Sequence, residues 1–353
     1  MSGEDASEQE AVGAFREALQ RVVGGAPLSE DDAHGAVSAV MRGVVPEVLI
    51  GAFLTALRMR GETTDELTGA ARAMRDKVLR VEHGFARVLD TCGTGGDGIG
   101  TFNISTTVAF VAAAGGVTVG KHGNRAVSSS VGSADVLEAL GVRIDLPSEK
   151  VVACMRDIGI GFMFAPLHHG ALKHAAVVRK QLGFRTMFNL LGPVTNPARA
   201  THQLLGLFDP GRLTQIAEVL ARVGVKRALV VHGPEGMDEL GLSGPSQAVL
   251  LDAGNISQQT IDAASLGLAP APATALRGGN AADNAAIIRS VLEGRPGPAR
   301  DVVVLNAGAA LWIAEAVTTL AEGVALAGEL VTRRAALERL EALMERTRSA
   351  GTP

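Results

Sequence analysis

The chain has 353 residues, 47% of them hydrophobic, with 43 glycines, no tyrosine and a formal net charge of −4. That length accommodates two domains, and the acidic balance excludes a general attraction to nucleic acid or anionic membrane, leaving a small molecule as the expected partner. Its two cysteines, Cys92 and Cys154, are too few for a disulfide framework or a thiolate zinc site and fit a reducing cytoplasm.

The N-terminus, MSGEDASEQE, is acidic and polar, unlike a signal or transit peptide, and no apolar run reaches membrane-spanning length. A soluble cytoplasmic protein is expected. Val12, Phe15, Leu19 and Val22 recur at helical spacing. Ser29 with Asp32, Pro46, and Thr63 with Glu66 mark further helix starts, so about four helices are expected over the first eighty residues. From Val88 the texture changes to short apolar runs alternating with helices: RVLD, GVTVG, VRID, GFMF, QLLGLF, RALVVHG and QAVLL. This is the grammar of a mainly parallel sheet, whose ligands bind beyond the carboxyl ends of the strands. The stretch from about Ala282 to Arg348 reads as helices again, and the PAPAT stretch near Pro270 reads as a surface linker.

Four loops carry the chemistry. The first, DTCGTGGDGIGTFNIST, has glycines at 93, 95, 96, 98 and 100 between a strand and a helix start that bears Ser105 and Thr106. Glycines let backbone N–H groups approach an anion closely, and the helix start adds free donors, so a phosphate site is expected; the Gly-Lys-Ser/Thr ending of a P-loop is absent. The second, GKHGNRAVSSSVGSADVLEALG, carries Lys121, His122, Asn124, Arg125, Ser128 and Ser129, which suits a ligand with more than one phosphate. The third contains His168, His169, His174, Arg179 and Arg185, with His169 and Arg179 spaced to share a helix face. The fourth, in ALVVHGPEGMDEL, sets Asp238 beside Glu239, an oxygen pair that suits Mg2+ near phosphates. Cys92 reads as a small side chain packed under the first loop, and His232 as ordering the Asp238 loop.

GTGGDGIGTFNIST, KHGNRAVSS with GSADVLEALG, GFMFAPLHH with RTMFNLLGPVTNPA, and GMDEL occur in this order, and together they resemble the anthranilate phosphoribosyltransferase family over nearly the whole chain. The resemblance implies an α/β protein of the nucleoside phosphorylase and phosphoribosyltransferase type, with a small all-helical domain and a larger α/β domain on a mainly parallel sheet. By it, residues 1–83 form the helical, dimer-forming domain with part of the anthranilate site. Residues 84–353 form the α/β domain, and a segment near 175–200 packs on the helical one. It implies transfer of the phosphoribosyl group of phosphoribosyl pyrophosphate to the anthranilate amine in tryptophan biosynthesis, by a Mg2+-using homodimer.

Carried over residue by residue, the resemblance puts phosphoribosyl pyrophosphate on Gly93, Gly96, Asp97, Thr101, Asn103, Ile104, Ser105, Thr106 and Ser133. The same ligand meets the run Lys121, His122, Gly123, Asn124, Arg125, Ala126, Val127, Ser128 and Ser129. Anthranilate falls to Gly93, Asn124, His169, Arg179 and Pro193, with Arg179 facing its carboxylate, and Mg2+ to Ser105, Asp238 and Glu239. Lys121, His122, Arg179, Asp238 and Glu239 carry the catalytic load in this expectation. Family members often show APLYHPAMK where this chain has APLHHGALK, placing His168 and Gly170 at a Tyr and a Pro, and a Lys is common where Ser130 stands. A pyrimidine nucleoside phosphorylase is the nearest alternative enzyme, and the KHGNR and RTMFNLLGPVTNP segments argue against it. A non-catalytic nucleic-acid binder on the same scaffold needs a basic surface that a net charge of −4 does not offer.

Overall fold

The computed structural model describes residues 3–126 and 131–349; Val127, Ser128, Ser129 and Ser130 lie outside the described residues. The chain forms two compact units. One comprises Met1–Leu79, His168–Thr195 and Glu218–Val223, the other Arg80–Leu167, Asn196–Ala217 and Gly224–Pro353.

The first unit is helical: α1 (Gly3–Val23), α2 (Glu30–Arg42), α3 (Glu47–Arg60) and α4 (Thr64–Lys77). Their apolar stripes converge on a core in which the Phe15 and Phe53 rings lie 5.0 Å apart. Ser29 accepts the Asp32 N–H to start α2, and Thr63 with Glu66 closes a full capping box on α4. The buried Glu66 carboxylate also accepts from Leu28 N–H at 2.9 Å and from Arg60, so its charge is satisfied. The helix Lys173–Leu182 packs on α2 and α3 within this unit, with Val178 against Gly51.

The second unit is built on a seven-stranded sheet of order β3-β2-β1-β4-β5-β6-β7. The strands are β1 (Leu89–Gly93), β2 (Val119–Gly123), β3 (Ile160–Phe164), β4 (His202–Gly206), β5 (Arg227–His232), β6 (Ser246–Asp252) and β7 (Asn255–Ile261). The first five run parallel and the last two antiparallel. Chain order reverses at β1, whose two neighbours are β2 and β4, and this opens a crevice at the carboxyl ends of the central strands. Helix α5 (Ile104–Ala114) is apolar all round because the sheet covers one side and the helices Pro298–Ile313 and Ala335–Arg348 the other.

Three local expectations change. VRID is not a strand: Val142 and Ile144 alternate because they bury into the core, while Arg143 N–H bonds Thr347 Oγ1 at 3.1 Å and not a neighbouring strand. β7 escapes the pattern because it is an exposed, polar edge strand, turned from β6 through Ala253 and Gly254 at φ 48° and 88°. The stretch near Pro270 is more than a linker, since it leads through buried Ala273 and Leu276 to an antiparallel bridge between Thr101 and Arg277 at the end of the first glycine loop.

Candidate active site

In the second unit the Asp238–Glu239 turn lies across the carboxyl ends of three strands. A Cβ on Gly93 of β1 would stand 2.4 Å from Asp238 Oδ2, one on Gly206 of β4 would stand 1.5 Å from the Asp238 carbonyl oxygen, and one on Gly233 after β5 would stand 2.1 Å from that of Glu239. A side chain at Gly206 or Gly233 meets main chain and pushes the acidic turn off the sheet, whereas one at Gly93 first meets the Asp238 carboxylate. Gly206→Ala therefore has to move backbone, and we expect a loss of at least about 3 kcal/mol, seen as a fall of several degrees in Tm. Gly93→Ala meets only a carboxylate tip and is expected to keep its Tm within a few degrees while losing activity.

The first glycine loop closes over this turn. Gly95, Gly96, Gly98 and Gly100 all have positive φ, between 66° and 78°, and Gly95 N–H donates to Asp238 Oδ2 at 2.7 Å. The Ser105 N–H in the first turn of α5 donates to the Glu239 carboxylate. The Thr106 hydroxyl is buried and has no hydrogen-bond partner among the described residues. Asp97 lies beside Asp238, and burial followed by the Asp97 charge pushes the Asp238 carboxyl up to about 7. Burial, then Asp238, raises Glu239 well above the ordinary range.

Lys121 from β2 is the cation of this cluster. Its buried amine donates to the Thr91 carbonyl at 2.6 Å. Burial pushes the amine down and the nearby Asp90 carboxyl up, each opposed by the other's charge. Asp90 also accepts from Asn196 Nδ2 at 2.7 Å and from His122 N–H at 3.3 Å, and Asn196 donates to the Gly120 carbonyl at 2.8 Å. Asp90 and Asn196 thereby tie β1 to β2 beneath the loops. Cys92 shares this setting, and burial followed by the Asp90 charge drives its thiol well up, the reverse of an activated nucleophile.

The Lys121 amine feels the charges of Asp90 and Glu239, and Glu239 in turn those of Asp238 and Asp97. Hard oxygen donors in excess of local positive charge fit a divalent cation such as Mg2+. Among the described residues no three His, Cys, Asp or Glu side chains form a ready-made cage, so a Mg2+ ion held here would need further oxygen ligands from outside the protein.

The second loop is braced by α6 (Ser133–Ala139). Asp135 accepts from Ala126 and Gly132 N–H at 3.0 and 2.9 Å, and Gly132 is a glycine because a Cβ would stand 2.4 Å from the Asn124 carbonyl. The Asn124 side chain bonds Arg125 N–H at 2.8 Å. The exposed Arg125 guanidinium pairs with Glu138 and Asp135 and lies 5.6 Å over the Phe164 ring, so phosphate would compete with two carboxylates for it. His232 bonds the Leu207 carbonyl at 2.8 Å, ordering the chain after β4 instead of the Asp238 turn.

His169, Arg179 and Pro193 belong to the first unit. His169 and Arg179 do not share a helix: His169 has φ −112° and ψ 44° and leads into the 3-10 turn Gly170–Leu172, before the helix Lys173–Leu182 begins. Arg179 lies 5.6 Å over the Phe188 ring and has no acidic partner among the described residues, while burial presses its pKa down. A half-buried guanidinium with this planar fork is chemically able to take an external carboxylate. His168 is buried, its Nδ1 2.8 Å from the Leu79 carbonyl, and Leu79 N–H donates back to the His168 carbonyl. It pins main chain, whereas the Cβ of Gly170 would meet open space.

Burial, then the neighbouring His168, lowers His169 to about 4, so its imidazole is neutral at pH 7. A histidine whose folded pKa is depressed contributes stability that is present above about 6.5 and lost as the pH falls toward 4. Asp238 and Glu239, raised on folding, act in the opposite sense. The test is therefore a difference: between pH 7 and pH 5 the wild-type Tm should fall relative to that of His169→Gln, by the equivalent of about 2 kcal/mol. Parallel profiles would mean that His169 does not sense burial.

Comparison with known proteins agrees over both units. The glycosyl transferase family α/β domain matches residues 86–337, and the glycosyl transferase family helical bundle domain matches 16–78. The anthranilate phosphoribosyltransferase of Symbiobacterium thermophilum is 49% identical over 94% of this chain and 98% of its own. Among solved structures, anthranilate phosphoribosyltransferase from Thermus thermophilus superposes with a TM-score of 0.89 at 45% identity, covering 94% of this chain and 99% of that one. The Saccharomyces cerevisiae enzyme in complex with PRPP and Mg gives 0.87 at 25% identity, covering 96% and 98%.

Proposed function

The chain belongs to the anthranilate phosphoribosyltransferase family, and from that premise we propose how its residues carry the 5-phosphoribosyl group of phosphoribosyl pyrophosphate to the amine of anthranilate, a step of tryptophan biosynthesis. One bond forms, from the nitrogen to ribose C1, and one breaks, from C1 to the pyrophosphate oxygen, which leaves with the electron pair. The amine is already neutral at pH 7, so the reaction needs leaving-group stabilisation and alignment more than a strong base.

The convergence of Asp238 and Glu239 with the glycine loop and the first turn of α5 carries this assignment. Backbone N–H groups of the first glycine loop that are not already bonded to Asp238, Glu239 or neighbouring carbonyls, and the Thr106 hydroxyl, would bind phosphate oxygens. Lys121 offsets the charge of the buried carboxylates and keeps the site from repelling an anion outright. Asp238, Glu239 and Ser105 would hold Mg2+, which when bound neutralises charge growing on pyrophosphate. Complexes of the yeast enzyme with PRPP and Mg, and with 4-fluoroanthranilate, support both the ligands and the metal.

In the first unit Arg179 would orient the anthranilate carboxylate, with His169 and Pro193 as further contacts to anthranilate; in the second unit Gly93 and Asn124 are the residues expected to touch it. The proton shed by the nitrogen after attack needs only a weak acceptor, a role suited to the neutral imidazole of His169, with His122 as the other candidate residue. Residues 1–83, with the segment near 175–200 that packs on them, serve as the helical domain and the dimer-forming part, the rest of 84–353 as the α/β domain, and the homodimer works in the cytoplasm. No helix among the described residues is long and apolar enough to cross a membrane. Anthranilate fluorescence should decay when phosphoribosyl pyrophosphate and Mg2+ are added, and EDTA should stop the decay. Absence of decay with folded protein would overturn the assignment.

A further inference from the structure

Asn284, in the first turn and a half of the helix Ala281–Leu292, is 1% exposed and 181 residues from the loop that it touches. Its Oδ1 accepts the Gly279 N–H at 2.7 Å and its Nδ2 donates to Asn103 Oδ1 at 3.0 Å. Asn103 Nδ2 in turn donates to the Val131 carbonyl at 3.2 Å. A backbone N–H at one end and a backbone carbonyl at the other fix the direction of both carboxamides, since each amide has one accepting and one donating end. Asn103 precedes α5, yet its side chain makes no capping bond, because it is committed to this relay. The chain on the Asn284 side is built for the contact. A Cβ on Gly278 would stand 2.3 Å from Asn284 Oδ1, Gly278 N–H bonds the Gly100 carbonyl, and Phe102 N–H bonds the Leu276 carbonyl.

We propose that Asn284 is a positioning residue for the sugar-phosphate site: through Asn103 it locks the end of the first glycine loop to Val131, at the start of the segment that leads into α6. It touches no substrate itself. Its effect falls on the loops that hold phosphoribosyl pyrophosphate and not on the acceptor. This inference rests on the transferase reading above.

The test uses the full chain with Asn284→Asp, Asn284→Ser, Asn103→Ala and the double variant Asn103→Ala, Asn284→Ser. Asp keeps the size and the bond to Gly279 but cannot donate to Asn103, so the Asn103 amide must flip and lose Val131. Ser keeps an acceptor near Gly279 and cannot reach Asn103, which gives a second variant should a buried carboxylate prevent folding. KM for phosphoribosyl pyrophosphate should rise about tenfold, the equivalent of about one hydrogen bond, with KM for anthranilate within twofold. The double variant should match Asn103→Ala alone. Equal rises in both KM values, additive losses, or no change would overturn the role. Calorimetric titration with phosphoribosyl pyrophosphate and Mg2+ reads the same contrast without turnover. If the wild type binds that ligand but transfers nothing to anthranilate, the transferase reading fails while the Asn284 link is still decided by the titration.

Discussion

The double variant Asp238→Asn, Glu239→Gln should lose at least about a thousandfold in kcat/KM, some 4 kcal/mol of transition-state stabilisation, when transfer is followed by anthranilate fluorescence at saturating Mg2+. The same change should raise the Tm of the metal-free protein at pH 8. Both carboxyls are pushed up by burial and by neighbouring acids, so holding them charged there costs folding energy that neutral amides of equal size do not. Mg2+ should raise the wild-type Tm and leave the variant unmoved. Opposite movements of activity and stability would separate a metal site from a merely structural acidic turn, whose removal lowers both. A variant that keeps Mg2+-dependent turnover would remove Asp238 and Glu239 from the metal.

Arg179→Ala should raise KM for anthranilate roughly 30- to 100-fold, the loss of about 2–3 kcal/mol from a charge-assisted pair, with KM for phosphoribosyl pyrophosphate within twofold. Arg179→Lys should recover part of the loss, since a point charge replaces a planar fork. The guanidinium has no acidic partner among the described residues, so Arg179→Met should keep the wild-type Tm or exceed it. Equal effects on both substrates, or a marked fall in Tm for Arg179→Met, would make it a packing residue.

The geometry of the glycine loops and of the acidic turn was legible because its physics is local. Glycines at positive φ, a hydroxyl-rich helix start and adjacent carboxylates are all short-range signals, and the parallel sheet followed from apolar runs alternating with helices. What stayed hidden was long-range. Nothing near Gly206 in QLLGLF announces that the Asp238 carbonyl will press against it, because the contact crosses from one strand end to a turn 32 residues on. Asp90 with Asn196 and Asn103 with Asn284 pair over 106 and 181 residues, and an Asn in isolation reads as a turn residue. VRID misled because alternating burial against a core gives the same period as a strand, and β7 was missed because its exposed face is polar throughout.

The β6–β7 hairpin has a practical consequence. β6 is antiparallel to β5 and its last residue, Asp252, pairs with Arg227, the first of β5, whereas the acidic turn follows the other end of that strand. Ala253 and Gly254 thus lie at the sheet edge opposite the glycine loops of the same unit. A biotin acceptor peptide or a surface-coupling cysteine grafted there would tether the second unit to a chip or bead with its loops facing the solution, a geometry suited to immobilised biocatalysis and to surface-based titration of its ligands.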